Sequence, residues 1–164
     1  MYTRYLESSF LGRYRMSEFV KPEYVFINKE LNTRESVLEF LSQKAFEFGF
    51  AEDVESVRKA FLYREEEGMT GLEGGFAIPH AKDDVISMPG VFILKLSKGV
   101  EWPSFDDKPV DTVLALLVPG DKAGTTHLRI LSKVAVMLMD DDFKKFLKET
   151  NDESAIADEI NARL

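Results

Sequence analysis

The sequence predicts an α/β protein in which a mixed or largely parallel β-sheet is covered by helices on both faces. Two observations carry this. Residues 89–97, PGVFILKLS, and 110–119, VDTVLALLVP, are nearly continuous apolar runs rich in β-branched and aromatic residues, the pattern of strands buried on both faces. Segments with apolar residues at helical spacing lie before and after them, with a shorter strand-like run, GFAIP (75–79), in between.

The elements follow in chain order. The opening residues MYTRYLESSFLGRYR mix aromatics with arginines and lack the apolar run of a secretory signal. Residues 1–16 are expected to be an N-terminal arm or extension, and 17–164 a single domain. Thr33 is placed to cap a helix over 34–48, with Val37, Leu38, Leu41, Ala45 and Phe48 on one face and Gly49 ending it. Asp53 caps a second helix over 54–66, with a stripe of Val54, Val57 and Phe61 that leads on to Arg64. A cation in the last turn suits the helix dipole, and the same spacing equally suits an arginine lying along the surface with its head in water. EEEGMTGLEGG (65–75), rich in glycine and acid, reads as a loop that carries Thr70. After GFAIP comes His80. Residues 98–111 carry turn signals around the sole tryptophan. Past the second long strand, Thr126 is placed to cap a helix over 127–139, with Leu128, Leu131, Val134, Ala135 and Leu138 as its stripe and His127 in its first turn. Short helices over 142–149 and 153–163 finish the chain.

Composition narrows the function. The 164 residues suit one domain, and the net charge of −8 argues against nucleic acid, whose phosphates need a basic stripe. The same acidity suits a basic protein partner. No run approaches the roughly 20 apolar residues of a membrane span, so direct membrane insertion is not expected. The absence of cysteine excludes disulfides and thiolate catalysis and fits a cytoplasmic location. The two histidines show no metal-ligand spacing, so no metal is expected.

Those histidines concentrate the chemistry. A neutral imidazole keeps one ring lone pair free to attack phosphorus or take a proton. Pro79 restricts the backbone beside His80, and Gly74 and Gly75 leave room for another group to approach. His127 opens a helix, where backbone N–H groups favour anions. Arg64 adds a permanent cation and Thr70 a hydroxyl. Together these would form an anion site suited to a phosphoryl group. A lone loop histidine is more often inert, and spacing alone does not show that the four meet. A two-histidine phosphodiesterase would need a groove for RNA, which the charge disfavours. The paired acids, such as Asp106–Asp107, read better as turn and cap residues than as a glycosidase pair.

The residues also resemble a known family. YREEEGMTGLEGGFAIPHAK (63–82), KGVEWPSFDDKPVDTVLALLVP (98–119) and THLRILSKVAVMLMDDDFKKFL (126–147) are similar, in order, to three blocks of the phosphotransferase-system (PTS) enzyme IIA domains of the fructose/mannitol type. The resemblance covers about residues 22–164. It implies a three-layer sandwich around a single mixed sheet, and a phosphocarrier that accepts a phosphoryl group from HPr on His80. The group would pass to the EIIB component and, through it, to a sugar imported by membrane EIIC. His127 and Arg64 match the family's second histidine and active-site arginine, Thr70 matches the Thr of its Thr-Gly step, and no cofactor is implied. Nitrogen-type EIIA proteins, which regulate partners through their phosphorylation state, are the alternative within the same resemblance. Asp106-Asp107-Lys108 departs from the family's frequent Asp-Gly before Pro-Val.

Overall fold

The computed structural model describes residues 19–120 and 125–164, and for 125–128 the backbone alone. The expected arm over 1–16 lies outside these residues. The two long apolar runs become β4 (Gly90–Val100) and β5 (Val110–Pro119), antiparallel neighbours at the centre of one sheet. On the far side of β4 lies β1 (Val25–Lys29), parallel to it. On the far side of β5 lie β2 (Phe76–Ala77) and β3 (His80–Asp83), both parallel to β5. The sheet is therefore mixed, and both faces are covered.

β2 and β3 form one interrupted edge strand. Phe76 pairs with Thr112 and His80 with Leu116, so the register is unbroken across the gap. Pro79 has no N–H to give the ladder, although its carbonyl still accepts from Leu116 N at 2.9 Å. The Ile78 N–H turns away to Thr70 O at 3.0 Å. The proline that fixes the backbone before His80 thus also marks the break in the strand.

Helices α1 (Arg34–Glu47) and α2 (Val54–Glu67) cover one face. Their Val37, Leu38, Leu41, Val57 and Phe61 bury against Phe92, Leu94 and Leu117 of the sheet. Phe92 is the hub of this layer, with the rings of Tyr24, Phe26, Phe48 and Phe50 between 5.2 and 6.2 Å away. Such tilted and edge-to-face pairs add to simple burial. Helices α3 (Thr125–Met137), α4 (Asp141–Glu149) and α5 (Glu153–Arg163) cover the other face. There Val134, Phe143, Leu147, Ile156 and Ile160 pack against Val91, Ile93, Leu114 and Leu116.

Local chemistry explains where the helices begin. Thr33 and Ser36 form a reciprocal capping box on α1. Asp53 accepts from Ser56 N at 3.0 Å, and Asp152 from Ala155 N at 2.9 Å. Lys95 is the one charge in the buried part of β4. Its ammonium donates to Thr150 O at 2.5 Å, Asn151 Oδ1 at 3.0 Å and Lys148 O at 3.4 Å, which ties the sheet to the end of α4. Burial pulls its pKa below the usual lysine range.

Three expected details change. α3 begins at Thr125 and ends at Met137, two residues earlier than the 127–139 expected from Thr126 as cap. The loop expected from Glu65 begins only after Glu67, because Glu65 to Glu67 complete the last turn of α2. His80 opens a strand rather than sitting in a loop. Among the described residues, no helix is long and apolar enough to cross a membrane.

Candidate functional site

His80 sits at the start of β3, on the edge strand of the sheet. Strand alternation puts it on the same side as its partner Leu116, the side covered by α3, α4 and α5. The ring is half-buried. Its Nδ1 is buried and makes no hydrogen bond of normal geometry. Burial, and then the positive charge of Arg64, hold the imidazole pKa below its ordinary value, while the Ile78 backbone pulls weakly the other way as an acceptor. Each effect follows from placing an ionisable ring in a drier, electropositive setting. Both main effects favour the neutral imidazole, and Nδ1 is a ring nitrogen shut away from solvent.

Arg64 lies in the last turn of α2, and its field reaches His80. The structure therefore places these two expected residues within electrostatic reach of each other. The guanidinium donates through Nη1 to Gly68 O at 2.9 Å, closing the end of its own helix with one of the five N–H donors an arginine carries. Thr70 is buried, and its hydroxyl donates to Glu65 Oε1. That hydrogen is already committed within the fold.

Glu65 is the residue that sequence reasoning missed. Its side chain is 1% exposed. Burial raises its pKa, opposed first by the Thr70 hydroxyl and then by Arg34, Trp102 and Arg64. Arg34 Nη1 stands 4.0 Å from Oε2. The indole N–H of Trp102 lies close enough to affect the carboxyl, yet neither it nor Oε2 completes a hydrogen bond of normal geometry. The available signal was Glu65 itself, four residues after the buried Phe61 on the same helical stripe.

Residues 18–163 match the model of a family described as "Phosphoenolpyruvate-dependent sugar phosphotransferase system, EIIA 2". The chain belongs to this family. It is 34% identical to a PTS system fructose-specific EIIA component from Haloferax volcanii, over 83% of this chain and 88% of that one. It is 32% identical to a nitrogen regulatory protein from Bradyrhizobium diazoefficiens, over 86% of this chain and 91% of that one. Its fold is similar to that of a solved complex of enzyme IIAMTL and phosphorylated enzyme IIBMTL from Escherichia coli, with a TM-score of 0.70 at 19% identity, covering 87% of this chain and 96% of that one.

In this EIIA domain the backbone of His127 is the third residue of α3, on the side of the sheet that His80 faces. The His127 side chain lies outside the described residues. Phe76, at 2% exposed, offers no surface for a partner. It belongs to the core under α4, where the ammonium of Lys148 sits 4.5 Å from its ring centroid. Leu72 and Ile78 are only partly buried.

Proposed function

We propose that this EIIA domain is a histidine phosphocarrier whose acceptor atom is His80 Nε2. The observation that carries this is the His80 ring itself: its Nδ1 is buried, and burial and then the Arg64 charge hold its pKa below the ordinary value. With the hydrogen on Nδ1, the Nε2 lone pair attacks the incoming phosphorus. A new N–P bond forms as the donor's bond to phosphorus breaks, and the donor keeps that electron pair. The donor is phospho-HPr and the next acceptor an EIIB protein, the class of partner in the mannitol complex. In the return step the acceptor attacks the same phosphorus and His80 leaves as the neutral ring. Arg64 balances the charge on the equatorial phosphoryl oxygens without activating water. His127, on the same side of the sheet, supplies a second contact to that group. Thr70 supports the site through Glu65 and the loop rather than through a free hydroxyl. Residues 17–164 act as one EIIA unit, and the relay places it in the cytoplasm.

Incubation with phosphoenolpyruvate, enzyme I and HPr should give an acid-labile phosphate on this protein, and His80→Ala should abolish it. Persistent labelling of that variant would reassign the acceptor. A regulatory role is the second reading, supported by the nitrogen regulatory relative. Handover to an EIIB protein separates the two: a transport carrier loses its label to one, and a dedicated regulator keeps it.

A further inference from the structure

The buried carboxylate of Glu65 has no part in the transfer step, and it is poorly satisfied. It accepts from Thr70 through Oε1, while Oε2 has no hydrogen bond of normal geometry. A buried acid kept in this state needs a reason, because an apolar side chain of similar volume would be cheaper to bury. Its connections supply one. Thr70, held by Glu65, accepts the Ile78 N–H at 3.0 Å through its own carbonyl. Ile78 lies two residues before His80, in the break between β2 and β3. The next residue, Gly71, bridges both Ala77 and Ser104. On the helical side, Glu65 directly follows Arg64, which in turn bonds Gly68 O at 2.9 Å. Trp102 brings the segment before β5 to the same carboxylate.

We propose that Glu65 is a positioning residue that joins the two halves of the phosphoryl site. Its carboxylate clamps the Thr70–Gly71 segment to the last turn of α2, so that Arg64 on the helix and His80 on the edge strand share one frame. The inference rests on His80 as the acceptor. A carboxyl acceptor suits the place because the groups facing it are donors: the Thr70 hydroxyl, the Trp102 indole N–H and the Arg34 guanidinium. A glutamine keeps the volume and one acceptor for Thr70, but turns an NH2 group toward other donors. An alanine keeps neither.

The test is single-turnover phosphoryl acceptance from phospho-HPr, with melting temperature and the His80 ring signals in long-range 1H–15N NMR as companions. Glu65→Ala should slow acceptance by roughly tenfold to a hundredfold, the range for a small misplacement of reacting groups, and should move the His80 ring signals. Glu65→Gln should recover part of that loss. Thr70→Val, which removes the hydroxyl and leaves the acid, should slow the reaction similarly, and its combination with Glu65→Gln should be less than multiplicative. Ile160→Val, in the opposite layer, serves as a control for stability loss alone. If Glu65→Ala and Thr70→Val transfer no more slowly than this control at equal stability, or leave the His80 signals in place, Glu65 is structural only and the proposal fails. Failure of the acceptor assignment is a separate result: His80→Ala would then still be labelled.

Discussion

Replacing Gly71 by alanine tests how tightly the loop before His80 is held. An added Cβ would lie 2.3 Å from Pro103 O, 2.7 Å from Ser104 Cβ and 2.8 Å from Ser104 Cα. The closest of these is backbone and falls about 1 Å short of the 3.4 Å at which ordinary contact begins. One of the two segments must move by roughly that amount, because a close-packed interior has no slack to absorb it. Overpacking of this kind costs about 1–3 kcal/mol. For a chain of this length each kcal/mol lowers the melting temperature by roughly 2–4 °C, so a fall of about 2–12 °C is expected. Gly71 adjoins Thr70, whose carbonyl holds Ile78 two residues before His80. A shift of about 1 Å at reacting groups can cost up to ~100-fold in rate, and a loss of about tenfold or more in phosphoryl acceptance is expected here. The assays are a thermal melt followed by circular dichroism and a single-turnover transfer from phospho-HPr. Gly49→Ala is the matched control. Its φ of +78° makes alanine strained, while nothing lies within 4 Å of the added carbon. It should lower the melting temperature and leave the transfer rate alone. A Gly71→Ala protein that melts early but transfers at the wild-type rate would refute the coupling of this loop to His80. One that also melts normally would refute the close approach itself.

Two further outcomes follow from the charges. Because burial and then Arg64 hold His80 below its ordinary pKa, the imidazole should remain neutral and reactive as pH falls past about 6.5. Acceptance should decline only through the lowered pKa. Across that same interval the unfolded chain takes up a proton that the folded ring refuses, so this group's contribution to stability falls as pH drops below about 6.5. Arg64→Gln removes the second cause and should move the acid limb of the pH–rate profile upward; an unmoved limb would mean that its charge is not felt at His80. Lys95→Met should leave three acceptors at the end of α4 without their donor and cost about 1–3 kcal/mol in a denaturant titration. Wild-type stability in that variant would show that water replaces the ammonium freely.

Much of this architecture was legible because local signals and burial agree. β5 falls on the residues expected from its continuous apolar run, and α1, α2 and α5 begin after Thr33, Asp53 and Asp152, whose side chains accept from backbone N–H groups of the first turn. Where two signals compete, the reading slipped. Three consecutive acids before Gly68 look like loop, but Glu65 continues the buried face of α2 and finds its donors from distant segments. The strand character of His80 comes from pairing with β5, a long-range contact that a Pro-His step does not announce. The burial of Phe76 was not legible, because alternation in a two-residue strand gives no hint of which face is covered. Arg64 and His80 were legible individually as a cation and a nucleophile, while their proximity depends on the turn that Glu65 and Thr70 hold.

The most direct measurement is long-range 1H–15N NMR of the imidazole rings before and after phosphorylation through enzyme I and HPr. The account predicts that the phosphoryl group appears on Nε2 of His80, with Nδ1 still carrying its hydrogen. A phosphoryl group on Nδ1, or on His127 with His80 unchanged, would contradict it.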